Sequence, residues 1–205
     1  MNRKIKSILV AGAVLGVVFA ATPASAAVVE GTNGPDVIDA PQTGPDADSV
    51  NAKAGADQVW TYAGTDDVFA GRGDDIVRGG KDSDELDGYF GNDTVLGQAG
   101  YDDLVGGEGA DGVVGGGGAD DVNGNFGNDD LLAGDGDDEV VPGPGRDYVD
   151  AGANNDYVVV ANDEAIDTIK CRDGADEVHY TTPEPDPKDV IGGGCELVTT
   201  TPPTV

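Results

Sequence analysis

Five consecutive nonapeptides between Gly97 and Val141 share one register, and this repeat limits the chain to a narrow set of folds. They read GQAGYDDLV, GGEGADGVV, GGGGADDVN, GNFGNDDLL and AGDGDDEVV. Their common pattern is G-G-x-G-x-D-x-U-x, in which U is aliphatic, and its positions are called place one to place nine below. A unit of this length cannot enclose a core alone, so the fixed period indicates a solenoid whose stacked units bury one another.

The same period extends over most of the chain. It runs without a gap from Thr43 to Val159, and three further units fit at Gly31 to Asp39, Asn162 to Lys170 and Cys171 to His179. Place six is Asp in all sixteen units, and place eight is always aliphatic. A disordered acidic linker is the alternative interpretation, but such a linker has no reason to keep an aliphatic residue at place eight.

The glycines and the aliphatic residues together predict short strands that alternate with tight turns. Glycine at places two and four permits the positive φ angles of a turn and a close approach of two backbones. The x-U-x segment is long enough for a three-residue strand with one inward side chain. Two turns and two strands make a coil of about eighteen residues, and stacked coils form two parallel sheets with rungs about 4.8 Å apart. Because one aliphatic residue per unit is a thin core, burial alone is not expected to hold the coils together.

The aspartates at place six indicate what supplies the missing stability. Stacking brings one row of carboxylates down each edge of the solenoid, and neighbouring carboxylates repel one another unless cations lie between them. Carboxylate oxygens and turn carbonyls form an all-oxygen ligand set, which suits Ca²⁺ better than zinc or copper. The sequence therefore predicts multiple Ca²⁺ ions bound between the turns.

In this pattern the chain resembles the RTX, or haemolysin-type, calcium-binding repeat proteins. The resemblance implies an all-β fold, a right-handed parallel β-roll (a β-solenoid) with two stacked parallel sheets, which holds Ca²⁺ between turns on the same side. It implies that the best metal sites combine a place-four glycine with the place-six aspartate that follows. These glycines are Gly73, Gly91, Gly100, Gly109, Gly118, Gly127 and Gly136, and the aspartates are Asp75, Asp93, Asp102, Asp111, Asp120, Asp129 and Asp138. Further candidate ligands are Asp66, Asp84 and Asp147.

Four units depart from the pattern at place four. They carry Asp46, Asp82, Asn154 and Ala165 instead of glycine. We expect weak or absent metal binding at these turns, although an aspartate at place four is able to donate an additional carboxylate.

The first 26 residues have the features of a secretory signal peptide. A basic start at Arg3, Lys4 and Lys6 precedes an apolar run, and Ala24 to Ala26 forms a small-residue cleavage site. A membrane helix is the alternative, which the short apolar run disfavours. We therefore expect an extracellular protein with a signal peptide at 1–26, a repeat domain at 27–179, a C-terminal cap at 180–198 and a disordered tail at 199–205.

The two cysteines of the chain, Cys171 and Cys195, flank the Pro-rich segment near the C-terminus. Two cysteines in an exported protein usually pair, so we predict a disulfide. It would pin a final strand around Ile191 or Leu197 across the open end of the roll. Two free thiols are the alternative.

Places seven and nine should point outward, where residues eighteen apart become neighbours. On one sheet place seven forms an acidic row, Asp67, Glu85, Asp103, Asp121 and Glu139. This row is either a solvated face or a second zone for loosely held cations. On the other sheet place nine is mostly apolar, with Trp60, Arg78, Leu96, Val114 and Leu132. That row is either a surface for self-association or a protein partner, or a reflection of β-propensity alone.

Charge and composition exclude several classes of function. The formal net charge of −29 makes nucleic acid and anionic membranes unsuitable partners and favours calcium ions or basic surfaces. His179 is the only histidine, and no nucleophile with a paired base is evident, so we expect a protein without enzymatic activity. The predicted function is a secreted calcium-binding β-roll that folds on binding Ca²⁺. The alternatives are an extracellular adhesin or scaffold and, less favoured, a polysaccharide-active enzyme.

Overall fold

The computed structural model describes residues 6–9, 16–19, 27–40, 47–182 and 186–200, and these residues form strands and turns. Within these ranges there is no helix, and hence none that could span a membrane. The strands are β1 (Lys6–Leu9), β2 (Gly16–Phe19), β3 (Ala27–Glu30), β4 (Asp36–Asp39), β5 (Ser49–Asn51), β6 (Gln58–Ala63), β7 (Asp67–Arg72), β8 (Ile76–Lys81), β9 (Glu85–Phe90), β10 (Thr94–Ala99), β11 (Asp103–Gly109), β12 (Gly112–Gly117), β13 (Asp121–Gly127), β14 (Asp130–Asp135), β15 (Glu139–Val141), β16 (Tyr148–Ala153), β17 (Tyr157–Val160), β18 (Thr168–Lys170), β19 (Asp176–Tyr180), β20 (Val190–Ile191) and β21 (Cys195–Thr200).

Successive strands alternate between two parallel sheets. The odd-numbered strands form an 11-stranded sheet, called sheet A, and the even-numbered strands form a 10-stranded sheet, called sheet B. In the central repeats paired residues are eighteen positions apart, as Leu104 with Val122 and Val113 with Leu131 show. One coil therefore contains two nonapeptides, and the prediction of an all-β parallel β-roll with two stacked sheets is confirmed.

The place-eight residues form a continuous buried column between the sheets. From Ile38 to Val178 each of them is at most 1% exposed. Their neighbours at places seven and nine point outward, because side chains alternate along a strand. The column joins one coil to the next and makes a single core along the whole roll.

Strands β6 to β14 are longer than the three residues predicted, whereas β5, β15 and β18 have three residues each. Strand β10, for example, runs from place seven of one unit to place three of the next. The prediction was wrong because pairing continues through the corner: Gln98 at place two still pairs with Gly116 in the adjacent coil. A second inward position results at place one, where small residues such as Ala70 and Ala133 are fully buried.

At the N-terminal end, β1 and β2 extend the two sheets beyond β3 and β4. Both strands lie within residues 1–26, the rest of which is outside the described residues. Cleavage of this segment as a signal peptide stays a prediction.

At the C-terminal end the predicted disulfide is confirmed. Cys171 and Cys195 are bonded, with their Cα atoms 5.0 Å apart, and Cys171 is fully buried at place one. Strands β20 and β21 pair in parallel with β18 and β19, so they extend the sheets and do not run across the open end as expected. The disulfide thus ties β21 to the preceding coil, where Tyr180 closes the core.

The two outward rows lie in register as predicted. Strand pairing aligns Asp67, Glu85, Asp103, Asp121 and Glu139 on sheet A, and we call this row the acidic ladder. On sheet B it aligns Trp60, Arg78, Leu96, Val114 and Leu132, which we call the apolar ladder.

Candidate metal sites

The place-six aspartates form two rows, one at each edge of the roll where a turn enters a strand. In each row the backbone N–H of one Asp donates to the Oδ1 atom of the Asp one coil later, at 2.7–3.1 Å. The row leading into sheet A contains Asp66, Asp84, Asp102, Asp120 and Asp138, and the row leading into sheet B contains Asp75, Asp93, Asp111, Asp129 and Asp147. The ten predicted aspartate ligands are therefore divided equally between two rows.

The second carboxylate oxygen of these aspartates is buried without a hydrogen-bond donor among the described residues. This holds for the Oδ2 atoms of Asp57, Asp75, Asp84, Asp93, Asp102, Asp111, Asp120, Asp129, Asp138, Asp147 and Asp156. An ionised oxygen that is removed from water and left unpaired is costly, so it needs a proton or a cation. Each row therefore carries a series of available anionic ligands.

Glycine at place one leaves the space that this oxygen occupies. A Cβ atom built on Gly97 would lie 2.4 Å from Oδ2 of Asp102, and one on Gly79 would lie 2.3 Å from Oδ2 of Asp84. The unpaired oxygen is therefore directed at the backbone of its own turn.

The place-four glycines bring the turn carbonyls of successive coils into line. A Cβ atom on Gly118 would lie 1.5 Å from the carbonyl oxygen of Gly100, and φ at Gly118 is +140°. Gly73, Gly91, Gly100, Gly109, Gly127 and Gly136 each face a turn carbonyl of the preceding coil in the same way. Only a residue without a side chain allows this approach, which places a row of carbonyl oxygens along the same turns as the carboxylates.

Two of the departures at place four keep the alignment of the turn carbonyls, at φ angles that differ from those of the glycines. Asp82 and Asn154 adopt φ angles of 72° and 84°, and their carbonyls face Gly100 and Gly174 of the next coil. Asp and Asn tolerate the left-handed region better than most residues, which explains why the turn survives. Weaker metal binding at these turns stays a prediction.

Burial raises the pKa of the aspartates in both rows. It raises the pKa of Asp84 to about 8, of Asp93 to about 7 and of Asp102 to about 6. Desolvation is the largest cause, and the charge of neighbouring aspartates adds to it, whereas the hydrogen bond from the preceding backbone N–H lowers the pKa. Without an added positive charge, ionisation of these aspartates is therefore shifted upward from its usual acidic range towards neutral pH.

The donor atoms at these turns fit a hard cation such as Ca²⁺. They are carboxylate and carbonyl oxygens, without nitrogen or sulfur, and Ca²⁺ accepts six to eight such ligands in flexible geometry. Among the described residues there is no group of three or more His, Cys, Asp or Glu side chains that could hold a metal ion by themselves. A calcium site at these turns would therefore need backbone carbonyl oxygens in addition to carboxylates.

Two features of the turns were missed in the sequence. Asp189 accepts the N–H of Asp167 at 2.9 Å and so continues a place-six row beyond the last unit we identified. The signal was present, because Asp189 is followed two residues later by an aliphatic residue, Ile191. The long Pro-rich insertion before it hid the register.

The second feature is a row of side-chain acceptors at place five. Oδ1 of Asp74 accepts the N–H of Asn92, and Oδ1 of Asn92 accepts the N–H of Ala110, both at 2.9 Å. On the other edge Asp137 and Asn155 do the same. These bonds run from a later donor to an earlier acceptor, opposite to the place-six row. The sequence signal that could have revealed these acceptors is the frequent occurrence of Asp and Asn at place five.

Comparison with known proteins supports the same interpretation. The family model of the RTX calcium-binding nonapeptide repeat (4 copies) matches residues 42–77, 71–104, 97–131, 105–140 and 132–163. These matches overlap to cover residues 42 to 163, more than half of the 205-residue chain. Neither the curated proteins nor the solved structures contain a significant match to the chain.

Replacing Gly118 by Ala should destabilise the roll by about 3 kcal/mol or more, because the methyl group would collide with the carbonyl of Gly100 at a φ angle reserved for glycine. Gly117→Ala in the same turn is the matched control, since a Cβ atom there lies 4.0 Å from its nearest neighbour. Urea denaturation in CaCl₂ measures both. Equal stability of the two variants would contradict the close approach of the turns.

In metal-free buffer the stability of the roll should fall as pH rises from about 4 to about 8. The unfolded aspartates titrate near 3.8, whereas burial raises the folded pKa of Asp84 to about 8 and that of Asp93 to about 7. The folded state therefore binds more protons in this window, and its advantage is lost as they dissociate. Urea midpoints at pH 4, 6 and 8 test this, with a calcium-saturated series as control. A midpoint that rises with pH in metal-free buffer would refute it.

Proposed function

The chain belongs to the family of RTX calcium-binding nonapeptide repeat proteins, and we propose that it is a secreted β-roll that folds on binding several Ca²⁺ ions. The observation that carries this proposal is the row of buried Oδ2 atoms without a donor, next to a row of stacked carbonyls. The ligands proposed are the ten place-six aspartates and seven place-four glycines named from the sequence, the glycines acting through the carbonyls of their turns.

Coupling of folding to metal binding follows from the charge of the chain. Its net charge of −29 opposes compaction, and folding buries two rows of carboxylates that lack a counter-charge. Bound Ca²⁺ supplies the positive charge that these rows need. In the absence of metal at neutral pH, the hydrogen bonds and the narrow core are proposed to be insufficient for a stable roll.

Secretion provides the conditions for such a protein. The proposed signal peptide at 1–26 would deliver residues 27–205 to a compartment rich in calcium. Extracellular calcium modules bind at about 10⁻⁴ to 10⁻³ M, well above cytosolic calcium. Folding would therefore follow export. The confirmed disulfide between Cys171 and Cys195 is consistent with an oxidising environment.

We propose that the chain has no enzymatic activity. The place-six carboxylates are engaged by backbone N–H groups along the rows, which leaves them poorly placed for proton transfer to a substrate. His179 stacks with Tyr157 on the surface of sheet A at a ring separation of 6.0 Å. Family members of this kind are typically non-catalytic in the repeat region.

Titration of CaCl₂ into residues 27–205 should produce a cooperative gain of β signal in far-UV circular dichroism, because cations relieve the repulsion within both rows. MgCl₂ should be much less effective, since Mg²⁺ requires a stricter octahedral geometry. A β signal that is present in chelator at neutral pH and unchanged by Ca²⁺ would refute the proposal.

A matched pair of variants distinguishes ligands from surface charge in the same titration. Asp111→Asn keeps one oxygen for the N–H of Asp93 but removes the charge of the buried carboxylate, so its calcium midpoint should rise several-fold. Asp103→Asn removes an equal charge from the acidic ladder, and its midpoint should change little. An equal change in both variants would show that calcium responds to net charge alone.

An extracellular scaffold or adhesin is the second candidate function, and the apolar ladder favours it. Trp60, Leu96, Val114 and Leu132 lie in register on one outward face, and Leu132 is 39% exposed. A row of apolar side chains on a strongly acidic protein is suited to contact with a partner or a second copy. The folded roll would then be the rigid support for this surface.

Leu96→Asp combined with Leu132→Asp should abolish any assembly seen by light scattering in millimolar CaCl₂, because it places one charge at the centre and one at the end of the apolar ladder. Asn128→Asp combined with Asn155→Asp is the control, which adds the same charge at exposed place-five positions. Assembly that persists in the Leu variant, or is lost equally in both variants, would exclude the apolar ladder as the contact.

A further inference from the structure

We propose that a groove at one corner of sheet A binds the guanidinium group of an arginine side chain from a polypeptide partner. The groove has a volume of about 260 Å³ and lies across β9, β11 and β13. Its lining includes the aromatic residues Tyr89, Phe90 and Phe126 and the acidic residues Asp87 and Glu108. None of these residues belongs to the proposed calcium sites.

The gap at the centre of the groove is imposed by the backbone. Gly107 pairs with Tyr89 on one neighbouring strand and with Asn125 on the other. The middle one of these three strands therefore has no side chain at this position. A Cβ atom on Gly107 would lie 2.3 Å from the carbonyl oxygen of Tyr89, and φ is +118°. A side chain at this φ angle would collide with that carbonyl, so the opening follows from the backbone conformation of Gly107.

The walls of the groove expose aromatic surface to solvent. Tyr89 is 51% exposed and Phe126 is 61% exposed, which makes Phe126 the most exposed large apolar residue among those described. Tyr89 packs edge-on against Phe90, with ring centroids 4.7 Å apart. Glu108 occupies the rung between Phe90 and Phe126, so a carboxylate lies between two aromatic rings.

The protein itself shows how a cation fits beside such a ring. The Arg72 guanidinium lies one rung below Phe90, 5.4 Å from the ring centroid. Arg78 over Trp60 repeats this arrangement at the same distance on sheet B. A cation held next to Glu108 would lie one rung, or about 5 Å, from Phe90 and from Phe126, within the range of cation–π attraction.

The chemistry of the groove favours a guanidinium over other cations. A planar guanidinium stacks on aromatic rings and also donates two parallel hydrogen bonds to a carboxylate such as Glu108. A quaternary ammonium lacks those donors, and a lysine ammonium lacks the planar surface. The charged groups lining the groove, Asp87 and Glu108, are both acidic, so it is complementary to a positive ligand.

A polypeptide is the source that the surroundings favour. The groove adjoins the acidic ladder at Asp103 and Asp121, and the whole chain is strongly acidic. The carboxylate of a free amino acid would be repelled by this surface, whereas an arginine within a polypeptide carries no such group.

Binding of N-acetylarginine amide to the calcium-loaded full chain tests the proposal. Ligand-observed NMR titrations at about 0.15 M NaCl limit diffuse attraction to the acidic surface. The protein should bind this probe more tightly than the neutral citrulline amide and more tightly than free arginine. Citrulline amide or free arginine binding as tightly as the probe would overturn the proposal.

Two variants with matched controls locate the site. Phe126→Leu should weaken binding of the probe by roughly 2- to 30-fold through loss of the ring, and Glu108→Gln should weaken it comparably. The controls are Phe69→Leu, which removes a ring that is 43% exposed outside the groove, and Glu139→Gln, which removes an exposed acid. Both controls should bind like the unaltered protein. Equal affinity of all five proteins, or equal losses in variants and controls, would overturn the proposal.

Circular dichroism of each protein in CaCl₂ separates this proposal from the proposed function. Phe126 and Glu108 are exposed, so their variants are expected to keep the β signal of the unaltered chain. Absence of a calcium-dependent β signal in the unaltered chain would count against the proposed function. A folded roll that does not bind the probe would count against the arginine site alone.

Discussion

The hydrogen bond from the backbone N–H of one place-six Asp to Oδ1 of the next is the interaction on which the rest of the structure depends. It fixes the spacing of the coils at both edges and uses one oxygen of each carboxylate. It also draws the second oxygen into a buried position, where that oxygen lacks a donor. The same contact that aligns the coils therefore creates the demand for a cation. In the function proposed above, the stability of the roll and its calcium binding would both originate in this contact.

The glycines make this contact possible. At place four, glycine lets Gly118 approach the carbonyl of Gly100, and at place one Gly97 leaves room for the carboxylate of Asp102. The aliphatic residue at place eight then needs only to fill a narrow space between the sheets. The small core, which is a weakness in an ordinary domain, is the consequence of coils that are brought together mainly by their turns.

Much of this architecture could be predicted from the sequence because the constraints are local and repeated. The spacing of the Asp and aliphatic residues predicted the coil length, the two sheets and the alignment of the acidic and apolar ladders. The two cysteines predicted the disulfide. The strand length was wrong because pairing through the corner depends on the neighbouring coil, as between Gln98 and Gly116. Asp189 and the groove beside Gly107 were missed for a related reason. Each depends on which residues become adjacent when the coils stack. A repeat pattern describes only what the units have in common, so it does not show these contacts.

The alternation of successive units between sheet A and sheet B restricts how the length of such a chain can change. Loss or gain of one nonapeptide would preserve every turn and yet transfer all later units to the opposite sheet. Glu139 would then leave the acidic face, and Leu132 would leave the apolar one. Loss or gain of eighteen residues keeps both faces intact. The natural unit of duplication is therefore the coil of two nonapeptides. Only an even number of nonapeptides, added or lost, keeps the acidic ladder and the apolar ladder each on its own sheet, and the nonapeptide sequence alone does not reveal this requirement.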